Sequence, residues 1–461
     1  MTLRDCRDNA VSTPTRQALA HYDRAVDLLH SYFLDPVAEI NKALALDPDF
    51  VMGHCFKGTL MAVATEKSVE PGLRQAVEAA ESLSAKANDR ELAHVAALRA
   101  WLNGRFDRAV DLWGRILLQC PRDSLALQAA HLGDFYLGQS SLLRDRVARV
   151  LPFWDEQVPG FGYVLGMHAF GLEETQLYVR AEETGRRALA LNPRDPWAVH
   201  AVAHVMEMQG RTADGIAWLT SRAADWSVEN MFAFHNWWHL ALYHLDRGDI
   251  DRVLALYDSK VRPSPSAVAL EMLDASSLLW RLHLRQVDVG QRWRELADKW
   301  AGMAEDGYYA FNDLHAMMSF VATGRGEDQR RLIRTLETRA AMADCNAMMC
   351  REVGLPLARA IAAFGRSDYR LAADLLLEIK HRAHLFGGSH AQRDVLSLTL
   401  IEAALRAGEG TLGRAMAAER TDLKPASPFN WQLARRAARL CGDSAGERQA
   451  GERLAALGRA A

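Results

Sequence analysis

The chain has 461 residues with a formal net charge of -3, and a quarter of its residues are charged. That length exceeds what one compact core usually encloses, so several domains or a repeat array is expected. No Pro/Ser/Gly-rich linker or like-charge block supports separate domains. The charge balance leaves no basic footprint, so neither nucleic acid nor an anionic membrane surface is expected as a partner. The first residues lack the basic and apolar regions of a signal peptide, and no run of eighteen uncharged apolar residues occurs. A cytoplasmic protein is expected, and the six scattered cysteines fit a reducing compartment rather than a disulfide framework.

Residues 1–14 read as an N-terminal extension. From Thr15 to the C-terminus the hydrophobic period is helical, with no convincing alternating strand, and the expected fold is all-α. Phe106, Ala109, Trp113, Ile116 and Pro121 have the spacing of the second helix of a tetratricopeptide repeat. Tyr178, Ala181, Ala188 and Pro193 repeat it, and Ile250, Val253, Tyr257 and Pro265 do so more weakly. Hairpin turns are expected at Gly104, Gly138, Gln176, Gly210, Gly248, Gln286 and Gly324, at intervals of 34 or 38 residues, with another near Arg366-Ser367-Asp368. Residues 15–461 therefore read as a single continuous α-solenoid of about ten to twelve helical hairpins, its first helices lining a concave groove.

Two of those helices carry one histidine spacing, in His200-Ala-Val-Ala-His204 and His235-Asn-Trp-Trp-His239, with Glu207 a turn beyond the first pair. Residues four apart stack on one helix face, so each pair is able to close on one proton, ligand or metal ion. Counting back from Gly210, the packing stripe is Val199, Val202, Ala203 and Met206, which leaves His200, His204 and Glu207 as a polar stripe facing the groove. Counting back from Gly248, Trp237, Leu240, Ala241 and His244 form the packing set, with His235 and Trp238 towards the groove and His239 slightly further round. Tyr163 and Glu173 fall at groove-facing offsets of the preceding unit. Phe311 and His315 share the registers of His235 and His239, and Asp313 stands at a packing position, where a buried carboxylate suggests an orienter of a nearby histidine. Arg393, near the start of a helix entered through Gly387-Gly388-Ser389, is a candidate clamp for an anion. Ala201 and Asn236 occupy the glutamate position of the zinc-protease HExxH, so the spacing allows metal without demanding it.

The segments Leu3-Arg4-Asp5-Cys6, Phe50-Val51-Met52-Gly53-His54, Ala198-Val199-His200-Ala201-Val202-Ala203-His204, His235-Asn236-Trp237-Trp238-His239 and Ala391-Gln392-Arg393-Asp394-Val395 resemble the tetratricopeptide repeat protein 38 family. The likeness runs nearly end to end and includes Val289-Gly290-Gln291-Arg292-Trp293 and Phe311-Asn312-Asp313. It implies an all-helical repeat protein and brings no settled activity or active-site residues. His390 stands where the resemblance leads one to expect asparagine.

The reading that follows is a solenoid with a small-molecule pocket. His200, His204, Glu207, His235 and His239 are its candidate catalytic groups, working as acid and base or holding a divalent metal ion on the four histidines. Tyr163, Glu173, Trp238, Phe311, His315 and Arg393 are the candidate substrate contacts, and Asp313 the supporting carboxylate. Hydrolysis and isomerisation fit equally. The alternative is a non-catalytic scaffold that holds a partner protein along its groove, which predicts binding residues spread over many repeats.

Overall fold

A computed structural model describes residues 2–460. It is an all-α, tetratricopeptide-like assembly of helical hairpins. Among the described residues the only paired strands are Leu3–Arg4 and Ala10–Val11, joined antiparallel.

The turns obey a local rule. Gly104, Gly138, Gly210, Gly248 and Gly324 all have φ between 66° and 81°, and Gln176, Gln286 and Ser367 take up the same left-handed conformation at φ 60–63°. At each, the residue itself bonds back to the carbonyl three before it, and the next residue to the carbonyl five before that. Gly104 N reaches Trp101 O, and Arg105 N reaches Ala100 O; Gly210 N reaches Glu207 O, and Arg211 N reaches Met206 O. This is the Schellman arrangement, which satisfies the last carbonyls of one helix while reversing the chain into the next. Gly408 and Gly442 continue the series with φ 77° and 68°.

Small residues set how closely the helices approach. On Tyr178–Leu191, Ala181 and Ala188 are fully buried, and a Cβ added at Gly185 would stand 2.6 Å from Val202. Gly171, on Phe161–Glu174, lies against the backbone of Leu143 and Arg144, so no side chain fits there.

The chain forms two compact units, Met1–Val202 with Ala223–Ala233, and Ala203–Arg222 with Phe234–Ala461. In the first, the segment before Thr15 is stitched into the helices. Asp5, Arg7, Asn9 and Val11 are buried, Arg7 donates to Pro159 O at 3.0 Å, and Arg90 donates to Ala10 O at 2.9 Å. In the second, helix Ala233–Arg247 turns differently from expectation. Trp238 is fully buried while Trp237 is only half-buried, its ring under the Lys260 ammonium at 5.2 Å. Of the expected packing set Trp237, Leu240, Ala241 and His244, Leu240 and Ala241 are fully buried, and Trp237 and His244 are corrected to Trp238 and Tyr243. A helix buried on most sides has no single apolar stripe to count from. Among the described residues no helix is long and apolar enough to cross a membrane.

Candidate metal centre

Helix Pro196–Met208 starts on the buried carboxylate of Asp195, which accepts from the amides of Trp197 and Ala198 at 3.0 Å. The division between the units falls inside this helix, so His204 and Glu207 belong to the second unit together with His235 and His239 of Ala233–Arg247.

Within that unit three imidazoles meet. The His204 and His239 rings are 4.5 Å apart between centroids, and those of His235 and His239 are 4.9 Å apart. Each offers a ring nitrogen, and these nitrogens lie within 4.8 Å of one another. Two of the rings are oriented by carboxylates. His235 Nδ1 donates to Asp274 Oδ2 at 2.7 Å and His239 Nδ1 to Glu207 Oε2 at 2.8 Å. A carboxylate on Nδ1 selects the tautomer whose Nε2 is unprotonated, and it makes that nitrogen a stronger donor to a cation. His204 and His239 are fully buried and His235 nearly so. Burial, reinforced by His204 and His235 and then by Arg281 and Lys424, holds His239 well below the ordinary imidazole range, so it stays neutral and competent as a ligand.

Trp238 supports the cluster from beneath, stacked on His235 at 5.3 Å, with the Arg281 guanidinium 5.4 Å from its own ring centre. Arg281 is itself fixed. It donates to the carbonyl and hydroxyl of Ser277 and to Ala391 O at 2.7 Å.

Glu207 faces two ways. Behind it is His239; in front is a cavity of about 60 Å3 whose wall also carries Arg281, Arg285, Arg420, Lys424 and Asp394. Lys424 Nζ is 3.8 Å from Glu207, and Arg420 binds Asp394 through two bonds of 2.6 and 3.2 Å. Burial would raise the Asp394 carboxyl, but the charges of Arg420 and Lys424 outweigh it and hold it below the usual range. Burial lowers Arg285 to about 10; it lies over the Phe429 ring and donates to Leu245 O. Four cations beside Glu207, Asp246 and Asp394 in a partly desolvated pocket favour an anionic guest.

Within the second unit the structure thus brings His204, Glu207, His235, His239 and Trp238 together, and it gives Phe311, Asp313, His315 and Arg393 other neighbours. In the first unit, His200 sits against Phe170, Trp197 and Phe232 at 5.1–5.3 Å. Tyr163 lies beside His30, and Glu173 is buried on Phe161–Glu174. Phe311 packs on Phe386 at 5.1 Å. His315 Nδ1 bonds one turn back along its helix to Phe311 O at 2.8 Å, and burial lowers it to about 4. Asp313 is corrected as a histidine orienter, since its Oδ2 meets no hydrogen-bond donor and the orienters are Asp274 and Glu207. Arg393 lines a different cavity and bonds the carbonyls of Gly387 and Gly388. Sequence reasoning missed Asp274, Arg281, Arg285, Arg420 and Lys424. The four-residue spacing of Arg281 and Arg285 was the one available signal.

No known protein-family model matches the chain. Solved structures of similar fold include the human IFIT1 dimer with PPP-AAAA, at 13% identity and a TM-score of 0.42, over 95% of this chain and 94% of that one. The human IFIT1 dimer with m7Gppp-AAAA matches at 14% identity and a TM-score of 0.42, over 96% and 95% of the two chains. The structure of Naa15/Naa10 bound to HypK-THB matches at 10% identity and a TM-score of 0.24, over 95% of this chain and 68% of that one. The exclusion of nucleic acid is withdrawn, since it rested on the net charge alone. The physical error lay in using net charge. A total of -3 averages over the whole surface and does not report Arg281, Arg285, Arg420 and Lys424 converging on one cavity.

Proposed function

We propose that His204, His235 and His239 form a divalent transition-metal centre, and that the chain is a small-molecule-binding member of the tetratricopeptide repeat protein 38 family which uses this centre on an anionic substrate. The observation that carries the reading is the pairing of two converging imidazoles with carboxylates at Nδ1, the support that metal-bound histidines commonly have. Imidazole ligands suit zinc and its neighbours. Two nitrogens on one tetrahedral ion lie about 3.4 Å apart, so nitrogens within 4.8 Å of each other need only small ring rotations. A bound ion supplies Lewis acidity and a more acidic water. Glu207, between His239 and the cavity, is positioned to accept a proton from the guest, while Arg281, Arg285 and Lys424 hold its charge.

The test is metal analysis of protein purified without a histidine tag, after dialysis against each candidate divalent ion. The expected result is one equivalent of a transition metal that is lost in His235→Ala and in His239→Ala, both folded by circular dichroism. A parent protein that retains no metal, or variants that retain as much as the parent, would overturn the proposal.

A further inference from the structure

A second cavity in the same unit, of about 300 Å3, contains none of the clustered imidazoles and is built differently from the first. Its size is at the lower end for pockets that enclose small organic molecules. Helices Tyr369–Ile379 and His390–Arg406 form most of it, joined by residues 380–389, which include the 3-10 turn Ala383–Phe386 and then Gly387 and Gly388 at φ 84° and 79°.

The order of lining residues along these helices polarises the cavity. At the end of the first, Leu376 and Ile379 precede Lys380 and His384, which lie on the connection. On the second, His390 and Arg393 precede Ser397 and Leu400, three to four residues apart and so on one face. These two consecutive helices pack on each other as a hairpin, and so run in opposite directions. The basic residues of both therefore gather at the turn end, and the leucines at the other. Leu396, Leu423 and Met208 extend the apolar wall, and Lys424 adds a further cation.

The charges do not cancel within the lining. Asp394 is its only carboxylate, and Arg420 already engages it from outside. Lys380 is anchored by Glu419 at 2.6 Å, and Arg393 by the two glycine carbonyls, so both heads are held in place.

We propose that this cavity binds an amphipathic organic acid, its carboxylate among Lys380, Arg393 and Lys424 and its apolar body against Leu376, Leu396 and Leu400. Fixed cations at one end select for the acid over a neutral compound of the same length, and the leucine wall selects against small inorganic anions. The two cavities share Asp394 and Lys424, but the proposal needs no metal and holds for metal-free protein.

Isothermal titration of the full chain in chelator tests it, using sodium decanoate, 1-decanol and inorganic phosphate. Decanoate is expected to bind one per chain, about tenfold or more tighter than decanol, the worth of one charge-assisted hydrogen bond. Phosphate is expected not to compete. Ser397→Trp plugs the cavity from a half-buried position and is expected to abolish decanoate binding, while Arg393→Gln weakens decanoate about tenfold and leaves decanol unchanged. Should Ser397→Trp fail to fold, Leu400→Phe fills the same space and is read in the same way. Equal affinity for decanoate and decanol, displacement by phosphate, or undiminished binding in the plugged variant overturns the inference.

Discussion

Replacing Glu207 by Gln isolates what the carboxylate behind His239 contributes. Gln keeps an oxygen able to accept the 2.8 Å bond from Nδ1, so the ring orientation survives, but it removes the negative charge that strengthens Nε2 as a donor. Loss of such a partner typically weakens metal binding by about 10- to 100-fold. At free zinc equal to one hundred times the parent dissociation constant, binding stabilises the parent by about 2.7 kcal/mol. The same zinc concentration then stabilises Glu207→Gln by only about 1.4 to 0.4 kcal/mol. For a folding unit of about 250 residues, about 2 °C of midpoint accompanies each kcal/mol. The zinc-induced rise should therefore fall from about 5 °C in the parent to about 1–3 °C in the variant. Without metal the two proteins should melt within about 2 °C of each other, since the 3.8 Å contact to Lys424 is worth at most about 1 kcal/mol. Differential scanning calorimetry in a zinc buffer, with chelator controls, reads both quantities. Identical zinc shifts in the two proteins, or no shift in the parent, would falsify the assignment of Glu207 as the carboxylate that tunes a ligand.

Three further outcomes follow from the packing. Gly171→Ala should destabilise the first unit by about 3 kcal/mol, because its Cβ would stand 2.5 Å from Leu143 O and Arg144 N, and neither backbone atom can move alone; urea unfolding of the variant measures this. Asp313→Asn should stabilise the protein in a pH-dependent way. Burial, aided by Asp306, raises this carboxyl from 3.8 to about 7, so the folded state holds its proton more tightly than the unfolded chain. Native stability thus falls as the pH rises from about 4 to about 7, and the Asn variant, which mimics the protonated form, should gain up to about 4 kcal/mol above pH 7 and nothing below pH 4; a gain that is flat across pH contradicts this. Ser389→Ala breaks a capping box in which Ser389 accepts from Gln392 N at 3.2 Å and Gln392 Oε1 accepts from Ser389 N at 3.0 Å. A loss of about 1 kcal/mol is expected, with the entry to the second cavity loosened and decanoate bound more weakly.

The residues alone determined the class of fold and the places where it turns. Gly104, Gly210 and Gly248 are legible as hairpin turns because the left-handed cap depends on a few consecutive residues and their own backbone bonds. Local spacing also revealed that His235 and His239 share a helix face, since a four-residue offset brings them together whatever lies outside the helix. Tertiary structure alone decided the rest. It turned Trp238 inward and Trp237 outward on a helix too widely buried to show a direction. It brought Asp274 to His235 across 39 residues, and Arg420 and Lys424 to Glu207 from the far end of the chain. Asp313, which local register favoured, was left without a histidine. Such pairings depend on the rotation of one helix against another, and that rotation is set by side-chain packing over the whole interface rather than by any periodicity within one helix.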